Sequence, residues 1–269
     1  MQRHDPINLP LQIPLWPEGV NPLPEPTDLD FPTFTLYLPS QEYRTGQSLL
    51  ILPGGGYRLT STAKEGHRPA QWLNSLGIAA AVLEYRHAPR RHPLPLLDAQ
   101  RGLRLLRQQA GEHGLDEGKV GCMGFSAGGH LAGLLCTSGP DDVPPLDDLR
   151  GQIDAQPDFC ALIYPVVSMC APFAHQGSRI NLIGDSSPDE QARMLSLENR
   201  WKSGSPPLFL IHGQNDNAVP IENSMSLFQA ATKAKCQVSA HFFADLPHGI
   251  GMADFHPWVE CLKAWLTNH

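Results

Sequence analysis

Residues 124–128 read Gly-Phe-Ser-Ala-Gly, a G-x-S-x-G pattern. A serine in that frame could act as the nucleophile of acyl transfer. The spacing suits a sharp strand-to-helix turn that lifts the hydroxyl clear of the sheet, and the glycines two positions either side of Ser126 let a chain bend that tightly. A serine hydroxyl is a weak nucleophile until an imidazole takes its proton, and a carboxylate must orient that imidazole. In the chain order nucleophile, acid, histidine, the acid candidate is Asp216, in Leu208-Phe-Leu-Ile-His-Gly-Gln-Asn-Asp216. The histidine candidate is His248, in Phe243-Ala-Asp-Leu-Pro-His-Gly249. Each follows a strand-like run, where sites of open α/β sheets are built. His241 on a strand, His256 at the start of the last helix and His212 before the acid loop read as structural or surface residues. His130, inside the helix after Ser126, reads as a core hydrogen-bonding group.

Acyl transfer also develops negative charge on the substrate carbonyl oxygen. Backbone N–H groups fixed in advance stabilise it, and losing one such donor costs about 3–4 kcal/mol. The expected donors are Ala127, directly after the nucleophile, and Gly55 and Gly56, in Pro53-Gly-Gly-Gly-Tyr57. Tyr57, Glu65 and Arg86 follow strand ends or begin the next segment, which makes them candidates for the substrate-binding rim; Arg86 has a second reading as half of a structural ion pair. Asp141-Asp142 and Asp147-Asp148 lie in a proline-bearing loop without EF-hand spacing and read as solvated. No phosphate loop or dinucleotide fingerprint follows the first strand, and the six cysteines show no CxxC or metal-ligand spacing. Neither a metal nor a cofactor is expected.

The elements that must position these residues alternate along the chain. Short apolar runs bounded by Gly or Pro cover 34–38, 49–52, 79–85, 120–125, 160–164, 208–212 and 238–243. They read as strands of a mostly parallel sheet covered on both faces. Ala99, Leu103, Leu106 and Ala110 fall on one helical face, a second helix follows Ser126, and others are expected over 221–235 and 255–267. Strands alternating with helices imply a doubly wound α/β fold, and the whole chain, 1–269, reads as one domain. Nine of the 26 prolines fall in the first 39 residues, so 1–32 is expected to be an extended arm over the surface. Residues 166–205, rich in Ser, Gly and Pro, are expected to form a short lid or pocket wall.

Composition narrows the function classes. The net charge of −7 argues against a nucleic-acid binder, and 41% apolar with 17% charged residues is a globular composition. The longest aliphatic run, Ile78–Leu83, is six residues, against about 20 for a membrane helix. With no apolar leader visible and cysteines read as reduced, a cytoplasmic setting is expected.

Taken together, Pro53-Gly-Gly-Gly-Tyr57, Glu84-Tyr-Arg86, Gly124-Phe-Ser-Ala-Gly-Gly-His-Leu-Ala132, Pro206 to Asp216 and Pro247-His-Gly249 resemble the α/β-hydrolase esterase/lipase superfamily. Within it the chain is most similar to the acetyl-xylan-esterase-like (BD-FAE-type) carbohydrate esterases, a likeness that extends to Leu15-Trp-Pro-Glu-Gly19 and Asn181-Leu-Ile-Gly184. The resemblance implies a cofactor-free serine esterase with Ser126, Asp216 and His248 as triad. Short acyl groups, acetyl first, are expected; members of that branch often act on polysaccharide outside the cell, and with no export signal visible here small or imported acylated sugars are the expected substrates. One departure is that Pro53, not His, precedes the three glycines, unlike the hormone-sensitive-lipase pattern. Two rival readings are a serine peptidase of the prolyl-oligopeptidase type and a non-catalytic binding protein on the same scaffold.

Overall fold

A computed structural model describes residues 9–17, 31–252 and 256–269. Among them is an eight-stranded sheet with strand order β1-β2-β4-β3-β5-β6-β7-β8. The strands are β1 (Leu11–Pro14), β2 (Thr33–Tyr37), β3 (Ser48–Leu52), β4 (Ala79–Glu84), β5 (Val120–Phe125), β6 (Cys160–Ile163), β7 (Leu208–Gly213) and β8 (Val238–Phe243). Strands β3 to β8 are parallel, whereas β1 and β2 join antiparallel beside β4. Every residue of β3, β5, β6 and β7 is buried. That is the reason these segments are continuously apolar, since a central parallel strand has no face in water.

Successive side chains point to opposite faces, so the sheet divides two cores. Leu50 and Leu52 join one with Leu103 and Leu106 of α2 (Leu94–Glu112), Leu131 and Leu134 of α3 (Ser126–Thr137) and Leu227 of α7 (Glu222–Lys233). Leu49 and Ile51 join the other with Leu73 of α1 (Arg68–Ser75) and Trp258 and Leu262 of α8 (Trp258–Leu266). Helices on both faces of a mostly parallel sheet make this a doubly wound α/β fold.

The expected strands are all present, within a residue or two of their expected ends. Three features differ from expectation. The described part of the amino-terminal arm supplies β1 as an edge strand, and Leu15 is fully buried. Trp16 donates its ring N–H to Asp98 at 2.9 Å and lies under the guanidinium groups of Arg86 and Arg101. The rest of the arm lies outside the described residues. Second, Asp147 is not solvated: it is buried between Arg101 and Arg104, which donate to its two oxygens. Asp141, Asp142 and Asp148 are exposed, and they pair with Arg150, Arg200 and Arg101. Third, 166–205 contains three short helices that were not expected, α4 (Gln176–Ile183), α5 (Asp189–Met194) and α6 (Leu197–Arg200).

Candidate active site

Ser126 is the first residue of α3, directly after β5, and its φ is +52°. A non-glycine residue rarely adopts that region, and one that does is held there by its surroundings. The flanking glycines serve a different purpose from the expected one, since neither has positive φ. A Cβ on Gly128 would sit 2.1 Å from the Leu52 carbonyl oxygen, and one on Gly124 would sit 2.2 Å from that of Gly128. Their lack of a side chain lets α3 and β3 approach; it does not make the bend.

The structure brings Ser126, His248 and Asp216 together at the carboxyl ends of β5, β8 and β7. Ser126 Oγ lies 3.0 Å from His248 Nε2, and His248 Nδ1 lies 2.7 Å from Asp216 Oδ2. A carboxylate can only accept, so His248 carries its proton on Nδ1 and leaves Nε2 free to accept the serine proton. Asp216 is held in turn. Its Oδ1 accepts the backbone N–H groups of Ala218 at 3.0 Å and Val219 at 2.8 Å. His212 Nε2 stands 3.2 Å from Oδ2, and Ser224 donates to His212 Nδ1 at 2.7 Å. Burial works against charge on Asp216. The hydrogen bonds from His212, His248 and Val219 outweigh it and hold the carboxyl below its ordinary value. A sequence reading that set His212 aside missed this second contact; the signal was its position four residues before Asp216 at the end of β7.

The glycine loop after β3 borders the same cavity, of about 650 Å³, with Gly55, Gly56, Glu65, Ser126 and His248 among its lining residues. The Gly54 N–H is already engaged, donating to Glu65 Oε2 at 2.9 Å. Among the described residues the N–H groups of Gly55 and Gly56 meet no acceptor. The N–H of Ala127, in the first turn of α3, has none within its helix.

Glu65 lies in a π-helical turn, Ala63–His67, just before α1. It is a brace between loops. Oε2 takes the Gly54 N–H, Oε1 takes the Tyr164 hydroxyl at 2.8 Å, and that hydroxyl oxygen accepts the Gly251 N–H at 2.9 Å. The loops after β3, β6 and β8 are thereby linked, and the Tyr164 ring rests 5.0 Å from that of His248. Burial raises the Glu65 pKa, opposed by hydrogen bonds from Tyr164 and Gly54.

Tyr57 and Arg86 do not reach the cavity. Tyr57 is fully buried, and its hydroxyl lies 2.8 Å from His130 Nδ1. Arg86 is buried in an ion pair with Asp98, donating from Nε at 2.8 Å. The cavity wall comes instead from Arg58, Leu59 and Lys64 and from His175, Gly177 and Asn181 at α4. Sequence reading assigned none of these to the site, because nothing in local pattern tells which face of a short helix meets a distant loop.

Among the described residues one cluster has the ligand types for a metal. The thiols of Cys122, Cys136 and Cys160 lie within 4.8 Å of one another, buried between β5, β6 and α3. All three are free and packed in the apolar core.

The family model BD-FAE matches residues 34–231. An acetylxylan esterase of Xylanibacter ruminicola is 31% identical over 84% of this chain and 46% of that protein. Endo-1,4-beta-xylanase B of Butyrivibrio fibrisolvens is 31% identical over 83% of this chain and 35% of that protein. The chain thus spans less than half the length of either. An acetyl ester-xyloside bifunctional hydrolase from Caldicellulosiruptor lactoaceticus superimposes with a TM-score of 0.86 at 35% identity, covering 96% of each chain.

Proposed function

The chain belongs to the BD-FAE family and has the α/β-hydrolase fold, and from that premise we propose that it is a serine carboxylesterase cleaving short acyl esters, acetyl above all, from sugars or oligosaccharides. The observation that carries the reading is the hydrogen-bonded line from Asp216 through His248 to Ser126, beside backbone N–H groups with no acceptor. The relatives named for acetylxylan and acetyl ester hydrolysis support the acyl group and the sugar.

The chemistry follows from the geometry. Ser126 Oγ attacks the acyl carbonyl carbon while His248 Nε2 takes its proton. Asp216 holds the Nδ1–H tautomer and stabilises the imidazolium. The N–H groups of Gly55, Gly56 and Ala127 receive the oxyanion. The carbon–oxygen bond to the alcohol breaks, and the alcohol departs with the proton from His248. A water, deprotonated by His248 Nε2, then attacks the acyl carbon; the bond to Ser126 Oγ breaks, Oγ takes the proton back from His248, and the carboxylic acid leaves. No metal or cofactor enters this scheme.

We read 1–269 as a single hydrolase domain, with 166–205 as a wall of the pocket and not a separate unit. The partner is a small ester. Among the described residues no helix is long and apolar enough to cross a membrane, and the free cysteines support a cytoplasmic setting. The test is Ser126→Ala. Hydrolysis of a chromogenic acetate is expected to fall by about a million-fold with the circular dichroism spectrum unchanged; undiminished turnover would remove the reading.

A further inference from the structure

The scheme above leaves one polar wall of the cavity unused. His175 is the N-cap residue of α4, and its Nδ1 accepts the backbone N–H of Ser178 at 3.2 Å. A backbone N–H can only donate, so Nδ1 is the unprotonated nitrogen and the neutral ring carries its proton on Nε2. Among the described residues that Nε2–H meets no acceptor, and the atom is not sealed in the core. Burial, and then the neighbouring His248, hold the His175 pKa below its ordinary value. The ring is thus a neutral donor.

Further along the same helix, Asn181 Nδ2 donates to the Gly56 carbonyl at 2.8 Å. That bond fixes the amide, and Asn181 Oδ1 is left as an acceptor with no donor among the described residues. His175 and Asn181 both line the cavity that holds Ser126, so its α4 wall carries one anchored donor and one anchored acceptor. Groups anchored at their far ends lose little freedom on binding. An apolar alcohol would leave both unsatisfied. A hydroxyl both donates and accepts, so hydroxyls of the alcohol portion can satisfy the donor and the acceptor alike.

We infer that His175 and Asn181 form a subsite for free hydroxyls of the alcohol portion, so that the site selects sugars with an unesterified hydroxyl beside the scissile ester. This deepens the esterase reading and rests on it. Partially acylated sugars are then the substrates, in preference to fully acylated ones.

The experiment compares acetate release from a mono-acetylated methyl xyloside and from its deoxy counterpart lacking the neighbouring hydroxyl. The wild-type protein is expected to favour the hydroxylated ester about tenfold in kcat/KM, the scale of one net hydrogen bond. His175→Asn keeps a good helix cap but cannot extend the Nε2–H, and the ratio is expected to fall close to one. Any general loss of turnover cancels in that ratio. As a second measurement on the wild type alone, free methyl xyloside should inhibit hydrolysis of phenyl acetate competitively and more strongly than its deoxy analogue. Release of acetate without discrimination, or discrimination that survives His175→Asn, overturns the subsite while leaving the esterase reading intact. No release from any ester overturns both.

Discussion

His130 lies within helix α3 and His248 lies beside that helix's first residue, each with its two ring nitrogens engaged, yet their surroundings set them opposite tasks. His130 Nε2 donates to the Leu195 carbonyl at 2.8 Å, so its Nδ1 accepts from the Tyr57 hydroxyl. Both partners are neutral, and the ring is fully buried. Burial pushes its pKa down to about 3, so it stays uncharged and acts as a structural pin. His248 lies between a hydroxyl and a carboxylate, with its side chain 23% exposed to the cavity. A positive charge there has a counter-ion and water; at His130 it has neither. The difference teaches that a base is made by what faces the ring, and that proximity of a histidine to the serine in sequence says little. His130 is four residues from Ser126, whereas His248 is 122 residues away.

The contrast can be tested from the large effects to the small. Asp216→Asn removes the counter-ion and favours the wrong tautomer. It should lower kcat/KM on a chromogenic acetate by about ten-thousand-fold; a loss under tenfold would mean that His248 needs no carboxylate. His130→Phe should act on folding instead. It strands the Tyr57 hydroxyl and the Leu195 carbonyl, at about 1–3 kcal/mol for each group left unpaired. Urea unfolding should show the loss, while active-site titration finds normal turnover per folded molecule.

Acid sharpens the same comparison. The His130 pKa is depressed by folding, so its contribution to stability is complete above the ordinary imidazole value of about 6.5 and is lost as pH falls towards about 3. Asp216 is also depressed, by its hydrogen bonds working against burial, and its contribution is lost in the same direction, below the ordinary carboxyl value of about 3.9. Melting temperature should therefore begin to fall below about pH 6.5, and His130→Phe should make that decline shallower without abolishing it, since burial also pushes His92 down to about 4. Glu65 has the opposite sign. Burial raises its pKa, so its contribution is greatest below about pH 4.3 and is lost as pH rises through the raised value. Glu65→Gln should gain stability relative to wild type between pH 4 and 8, on the order of 1 kcal/mol. It should cost about threefold to tenfold in kcat through the loosened brace. Equal pH dependence of the two proteins would show that folding leaves the Glu65 carboxyl unshifted.

Much of this molecule was legible in its residues, for identifiable reasons. Strands β3, β5, β6 and β7 are buried on both faces, so their sequences could only be apolar runs, and the loops that follow them had to carry Ser126 and Asp216. Helix α2 was legible from its periodicity, but α5 and α6 span six and four residues, too few for a period to show. Tyr57 was misplaced because its position after the glycine loop suggested the rim. Its φ of +57° instead accompanies a ring buried against His130 and Tyr85. Asp147 looked solvated because its partners, Arg101 and Arg104, lie more than 40 residues earlier in the chain.

The tight seats of Gly124 and Gly128 bear on how such a catalyst could diversify. Even a methyl group at either position would collide with main-chain oxygen, so no gradual route through alanine is open at the nucleophile turn. His175 and Asn181 are only half-buried on the α4 wall, and there side chains can be exchanged without moving the backbone that carries Ser126. New substrate preferences would have to arise on that wall, with the reacting centre inherited unaltered.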